Sequence, residues 1–186
     1  QTNFNLISST LDDAAGEAFD KGAKLLGLGY PGGIEIDRIS KLGDRCFYPF
    51  PIAKLGDSLD FSFSGLKTSL KHYLDKNINW EGNINDIASS YQEAIVQSLV
   101  RNIAKAVREF NIKTILVCGG VACNSRLRDV VQENLSKYKI VFPSNEYCTD
   151  NGAMIAMRGI QKIAANKAEF SLDFPVFSTT RRKRKS

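Results

Sequence analysis

Residues Thr114 to Arg128 read TILVCGGVACNSRLR, and the architecture of the chain is decided on this stretch. A short β-branched run (Thr114, Ile115, Val117) ends in Gly119-Gly120, and a polar helix start follows at Asn124 and Ser125. Paired glycines at a strand end remove the Cβ atoms that would hold a ligand away from the backbone. The N–H groups of the next helix then point into that gap, which favours an anion or the polar edge of a nucleotide. Ligands of open α/β sheets sit in such crevices, off the carboxyl ends of the strands. A plain strand–turn–helix joint uses the same residues, so the decision rests on the surrounding sequence.

Downstream, Ser125 to about Leu135 continues as a helix, and Ile140 to Phe142 forms a second short strand stopped by Pro143. A loop through Glu146-Tyr147-Cys148-Thr149 leads to a last helix from Asn151 to about Asn166. Upstream, the spacing of Ile87, Tyr91, Ala94, Ile95, Leu99, Ile103, Ala106 and Phe110 predicts one long helix over Asn85 to Phe110. The first segment, Ser9 to Leu28, has a helical apolar face. Ser9 or Thr10 is the expected cap, with Asp12 and Asp13 in the first turn. Gly27 and Gly29 stop it, and Pro31-Gly32-Gly33 turns into a helix over Ile34 to Leu42. Cys46 to Asp60 is expected to be irregular, Phe61-Ser62-Phe63-Ser64-Gly65 alternates, and a helix runs from Leu66 to Asp75. The back half therefore reads α–β–α–β–α and the front half is helical. The expected organisation is a helical segment over 1–80 contributing to a nucleotide cleft, a lobe over 81–168, and a basic tail over 169–186.

The chain has 186 residues, 43% of them hydrophobic and 24% charged, which suits a globular domain with an ample core. A net charge of +5 and a pI near 9.0 are compatible with a polyanionic partner without demonstrating one. Five positive charges lie in Arg181-Arg182-Lys183-Arg184-Lys185 alone, equal to the whole net excess. Cys46, Cys118, Cys123 and Cys148 lack C-x-x-C spacing and read as reduced thiols of a cytoplasmic protein, with Cys118 in a buried strand. No apolar run approaches the ~18 residues of a membrane span, and no secretion signal is recognisable. The sequence opens on Gln1 rather than Met, which is expected of a fragment or a processed product.

Several residues carry chemical potential beside an ordinary structural explanation. Asp20 lies seven residues past Asp13 on one helix face, and with Lys24 a turn later it reads first as an exposed i,i+4 pair. Gly32-Gly33 opening a helix with Asp37 in its second turn is a candidate ribose or phosphate contact, or a turn. Asp150 before Asn151-Gly152 reads on sequence alone as a helix N-cap, with metal ligation as the functional alternative. His72 is the only histidine and is expected on an exposed helix face. Neither a serine–histidine triad nor a histidine-rich zinc site can be assembled around it.

Five ordered blocks carry a resemblance: STLDDAAGEAFDK (9–21), LGLGYPGG (26–33), DFSFSGLKT (60–68), CGGVACNSRLR (118–128) and YCTDNGAMIA (147–156). Together they resemble the threonylcarbamoyltransferase family that makes threonylcarbamoyladenosine in tRNA. The resemblance covers about Leu11 to Lys162, and the SFSGLKT and YPGG wording is closest to the bacterial and organellar branch. It implies an actin-like, sugar-kinase-like ATPase fold (the ASKHA superfold) of two ribonuclease-H-like lobes, of which this chain is the C-terminal lobe plus a helical insertion. It implies transfer of threonylcarbamoyl from threonylcarbamoyl-AMP to the amino group of the tRNA adenosine 3′ of the anticodon. By that resemblance Asp20, Gly33, Asp37 and Asn124 hold the nucleoside part of the adenylate. Asp150 shares a divalent metal, iron or zinc, with two histidines. The expected partners are tRNA, the N-terminal lobe, a degenerate paralogue and a small ATPase, and not a membrane.

The departure is that the block with the two histidines and its substrate loop has no counterpart here, and His72 lies in the wrong block to replace either. One carboxylate is a poor transition-metal site. The expectation is an incomplete transferase. The alternatives are a non-catalytic paralogue serving as a scaffold, or a tRNA-binding appendage using the basic tail.

Overall fold

The computed structural model describes residues 4–171 and 173. The expected tail over 169–186, with its basic run, falls largely outside them. The described residues up to Asp150 form one compact unit and those from Asn151 another.

In the first unit, α1 (Ala15–Leu25), α2 (Gly32–Ser40), α3 (Ser64–Lys76) and α4 (Ile84–Glu109) precede β1 (Thr114–Leu116), α5 (Ser125–Leu135) and β2 (Lys139–Val141). The two strands pair in parallel, Ile115 opposite Ile140 and Leu116 opposite Val141. With helices on a small parallel sheet, the chain is an α/β protein. At 26 residues α4 is about 39 Å long and serves both halves of the core. Its first turns present Ile87, Tyr91 and Ile95 to Phe19 of α1, Ile36 of α2 and Leu70 of α3. Its later turns present Val96, Val100 and Val107 to Ile115 of β1 and to Leu127, Val130 and Val131 of α5. Burying each such side chain contributes about 1.5–3 kcal/mol. The Tyr91 hydroxyl donates to the Ala18 carbonyl at 2.9 Å, so this buried phenol carries no unpaired polar atom.

Residues 41–60 hold no helix or strand, as their prolines and glycines foretell. Polar groups of α4 satisfy their backbone instead: Arg101 donates to Ala53 O, Asn102 to Leu59 O and Asp60 O, and Lys105 to Asp57 O. In the second unit α6 (Gly152–Ala164) leaves Met154, Ile155, Met157, Ile160 and Ile163 exposed.

Four expectations need correction. The first helix starts at Ala15, not Ser9, and neither Ser9 nor Thr10 caps it. Ala14 is its N-cap, and the Glu17 carboxylate accepts from the Ala14 N–H at 3.4 Å. The reason is Asp12, which serves a different helix. Its carboxylate accepts from Phe63 N, Ser64 N, Ser62 Oγ and Ser64 Oγ at 2.5–3.2 Å, closing the N-terminus of α3 from 50 residues away. The alternating Phe61-Ser62-Phe63 stretch is thus the approach to that cap, and an isolated bridge joins Thr10 to Phe61. Asn151 and not Asp150 caps α6, its side chain accepting from Met154 N at 3.0 Å. Cys118 lies beyond β1 and is exposed.

Partial burial opposes ionisation of Asp12, but the donors of Ser62, Phe63 and Ser64 outweigh it and hold the carboxyl well below the usual carboxylate range. A depressed folded pKa adds stability that is complete above the unfolded value near ~3.9 and is lost as pH falls below it. Asp12→Ala is expected to lower unfolding free energy by about 1–2 kcal/mol at pH 7, the loss of a helix cap, measured by urea denaturation. The gap to the parent protein should narrow below about pH 4, where the parent's carboxylate begins to lose its advantage.

Candidate functional site

The strand-end glycine at 119 has φ +95°, a conformation that side chains rarely adopt, so the sharp exit from β1 requires glycine there. Gly120 opens a 3-10 turn through Cys123, and Asn124 then becomes the N-cap of α5. Asn124 is 7% exposed and fully engaged: its Oδ1 accepts from Leu127 N at 2.9 Å, and its Nδ2 donates to Gln92 Oε1 of α4 at 2.7 Å. Asp37 of α2 takes the neighbouring position, accepting from Ser125 Oγ at 2.8 Å and Ser125 N at 3.2 Å. Two first-turn donors of α5 are thus consumed within the protein, and a carboxylate already sits on the positive end of the helix. The gap beside Gly119-Gly120 is therefore not the bare anion seat expected from the sequence. It suits hydroxyls and neutral polar edges.

Asp20 meets the start of α2. Its Oδ1 accepts from Gly32 N at 2.9 Å, while Lys24 has no part in the contact. The expected Asp20–Lys24 pair is replaced by this loop anchor; the ion pairs on α1 are Lys21 with Asp13 and with Glu17. A Cβ on Gly32 would lie 2.7 Å from Asp20 Cα and 2.6 Å from Ala23 Cβ, so packing demands glycine at 32. Gly33 is under no such demand, since a Cβ there would make only ordinary contact with Phe19 at 3.8 Å. Of the expected nucleoside residues, Asp20 and Gly33 therefore gather at the start of α2, and Asp37 and Asn124 at the start of α5. The helix α2 carries Gly33 and Asp37 one turn apart and joins the two groups.

Asp150 is exposed, at the end of a loop that passes the glycine turn. A Cβ on Gly120 would lie 3.8 Å from Thr149 Cγ2. Arg128 fastens this loop: it donates to Ala122 O at 2.6 Å, to Pro143 O at 3.0 Å and to Cys148 Sγ at 3.5 Å. Burial and the adjacent Cys148 push the Cys123 thiol up, so its sulfur is not a ready thiolate ligand. Among the described residues no group of three or more histidine, cysteine, aspartate or glutamate side chains is placed to hold a metal. His72 is exposed on α3, as expected.

Sequence reasoning missed the wall behind Asp37. A cavity of about 220 Å³ is lined there by Ser40 and Lys41 of α2, Arg45, Gln92 and Glu93 of α4, and Arg126 of α5, among others. Arg126 and Glu93 form a bidentate pair at 2.7 and 3.1 Å. Burial disfavours the Glu93 charge, but Arg126 and Gln97 outweigh it and hold its pKa below the ordinary value. The signal was present in α4, where Ser89, Ser90 and Gln92, with Ser98 and Asn102 further along, interrupt the buried apolar face.

The chain is similar to known proteins over almost the whole described region. The family model described as TsaD, tRNA N6-adenosine threonylcarbamoyltransferase, matches residues 1–157. The protein of that name from Anaeromyxobacter sp. strain Fw109-5 is 51% identical over 162 residues, covering 84% of this chain and 49% of that protein. Those of Syntrophus aciditrophicus and Fervidobacterium nodosum are 48% and 45% identical, over 89% of this chain and 50% and 51% of their own lengths. The chain spans about half the length of the curated relatives it matches. With a family model covering far more than half of its residues, the chain belongs to the tRNA N6-adenosine threonylcarbamoyltransferase family.

Proposed function

We propose that this chain is the nucleoside-holding, C-terminal portion of a transferase that moves threonylcarbamoyl from threonylcarbamoyl-AMP to the N6 amino group of the tRNA adenosine 3′ of the anticodon. Family membership over residues 1–157 carries the reading, and α2 gives it a physical basis. Asp20, which holds the start of α2, and Asp37 in its second turn are carboxylate acceptors of a kind suited to hydroxyl groups such as those of a ribose. Gly33 leaves backbone room beside them, and Asn124 fixes the turn that faces the sugar. The fold proposed for the complete protein is the actin-like one of two ribonuclease-H-like lobes, working in the cytoplasm with a degenerate paralogue and a small ATPase.

In the reaction the adenine amino nitrogen attacks the carbamoyl carbon, the bond from that carbon to the adenylate phosphate oxygen breaks, and AMP leaves with the electron pair while the amine gives up a proton. What Asp20, Asp37 and Asn124 do is hold the leaving nucleotide in one orientation, which makes attack effectively intramolecular. The described residues of this chain do not make a metal site by themselves: Asp150 is a single exposed carboxylate with no group of further ligands placed beside it. Asp150 is proposed as one ligand of a metal, iron or zinc, shared with two histidines supplied from outside the chain. A non-catalytic paralogue is the alternative, and the presence of Asp20, Asn124 and Asp150 together favours the transferase.

The chain is expected to bind AMP, and Asp20→Asn and Asp37→Asn should each weaken it by roughly tenfold, since each removes a hydrogen bond to a charged acceptor. Asparagine keeps the oxygen that receives Gly32 N or Ser125 N, so the fold survives. Calorimetric titration checks this, and unchanged affinity in both variants contradicts the reading. Elemental analysis should find little bound zinc or iron in the chain alone. A stoichiometric ion is expected when the histidine-bearing half of the family protein is added, and its loss on Asp150→Ala.

A further inference from the structure

We propose that Cys123 and Cys148 form a dithiol oxidation site, at which peroxide closes a disulfide that fastens the loop leading to Asp150 to the turn after the strand-end glycines. This chemistry is separate from the nucleotide-holding reading above and needs no metal.

The first observation is that the two residues meet on one backbone oxygen. The Cys123 thiol donates to Asn145 O at 3.5 Å, and the Cys148 N–H donates to the same oxygen at 3.3 Å. The Cys148 thiol lies on the carbonyls just before it, 3.6 Å from Ser144 O and 3.8 Å from Pro143 O. Both sulfurs therefore rest on the short stretch Pro143-Ser144-Asn145, although 22 positions separate Cys123 from Asn145. They are near enough for Cys148 to act directly on the Cys123 thiol.

The second observation is that Arg128 holds both sides. Its Nε donates at 2.6 Å to the carbonyl of Ala122, the residue before Cys123, while its Nη2 donates to Pro143 O at 3.0 Å and to Cys148 Sγ at 3.5 Å. The guanidinium is a rigid plane, so one side chain fixes the backbone beside Cys123 and the sulfur of Cys148 together. Two thiols held in this way react as intramolecular partners.

The third observation is a difference in access. Cys123 is half-buried, whereas Cys148 is 4% exposed, so an oxidant from solvent meets Cys123 first and finds Cys148 behind it. Hydrogen peroxide converts the Cys123 thiol to a sulfenic acid and leaves as one water. The Cys148 sulfur then attacks the Cys123 sulfur, the S–O bond breaks, a second water departs and the S–S bond forms. In total the two thiols give up two hydrogens and two electrons, and one peroxide becomes two waters. Because burial and Cys148 push the Cys123 thiol up, the first step is slow, and the site answers sustained oxidation rather than a brief pulse. A small dithiol reopens the bridge by exchange. In a reducing compartment a pair of this kind is a sensor and not a permanent staple.

The test uses the full chain with the two exposed thiols removed, Cys46→Ser and Cys118→Ser, so that only the pair remains. After peroxide treatment and alkylation in denaturant, mass spectrometry should show both thiols lost, no alkylation, and a mass lower than the reduced chain by two hydrogens. The chain should run as a monomer without reductant, and dithiothreitol should restore both thiols. Amide exchange at Tyr147 and Cys148 should slow by roughly tenfold or more in the oxidised chain. Adding Cys123→Ser should leave Cys148 a free thiol under the same treatment, because nothing then relays the oxidation to it. Oxygen added to single sulfurs, disulfide-linked dimers, or oxidation of Cys148 in the Cys123→Ser chain overturns the proposal. A bridge that forms without slowing exchange overturns the fastening of the loop.

Discussion

The contact between Asp37 and the first turn of α5 joins residues 88 positions apart and ties the helical front of the chain to its α/β back. A carboxylate at a helix N-terminus gains from the helix dipole and from charge-assisted hydrogen bonds, which makes this link strong for its size. Around it the other parts fall into place. Asn124 caps the same helix and is held by Gln92, so α4 is registered against α5. At the far end of α2, Asp20 holds Gly32, so α1 is registered against α2. The long α4 lies beneath both through its two apolar clusters. The groups proposed to orient a nucleoside are then also the groups that hold the fold together.

That double use explains what the sequence disclosed and what it withheld. Periodicity placed α5 to the residue, and α4 to within one residue at each end, because long amphipathic faces are strong signals. Gly119 was legible too, since few residues accept a positive φ at a strand exit. Cap residues were less legible. Asp12, in the right position to start α1, in fact closes α3 from a distance, and Asn151 displaces Asp150 as the cap of α6. A local rule cannot know that a carboxylate will be borrowed by a helix 50 residues away. Asp20 was misread for the same reason, because its partner is a backbone N–H on the next helix and not the lysine one turn on.

Two residues that sequence spacing did not single out, Gln92 and Arg128, share a character: each is polar and meaningful only through a tertiary neighbour. Gln92 is buried because it serves Asn124. Arg128 is spent on the carbonyls of Ala122 and Pro143, which fixes the loop leading to Asp150 against the glycine turn. Ser40 has no protein neighbour to serve, and that is the feature that sets it apart.

Electrostatics set one more condition on any adenylate bound here. Asp20, Asp37 and Asp150 are all carboxylates, and the N-terminus of α5, which elsewhere attracts phosphates, is already occupied by Asp37. An arrangement of that kind welcomes sugar hydroxyls and repels the phosphate to which they are attached. Two negative groups about 4 Å apart repel by several kcal/mol at the effective dielectric of a protein surface, so the phosphate weakens the binding of the nucleoside that carries it. A positive charge at the phosphate would strengthen binding, and two of the cations near Asp37 are already engaged, Lys41 with Asp37 and Arg126 with Glu93. In the proposed reading, a metal held by Asp150 and by histidines from outside the chain would supply such a charge. The carboxylates of the chain would then hold the nucleoside end, and the other half would strengthen binding at the phosphate.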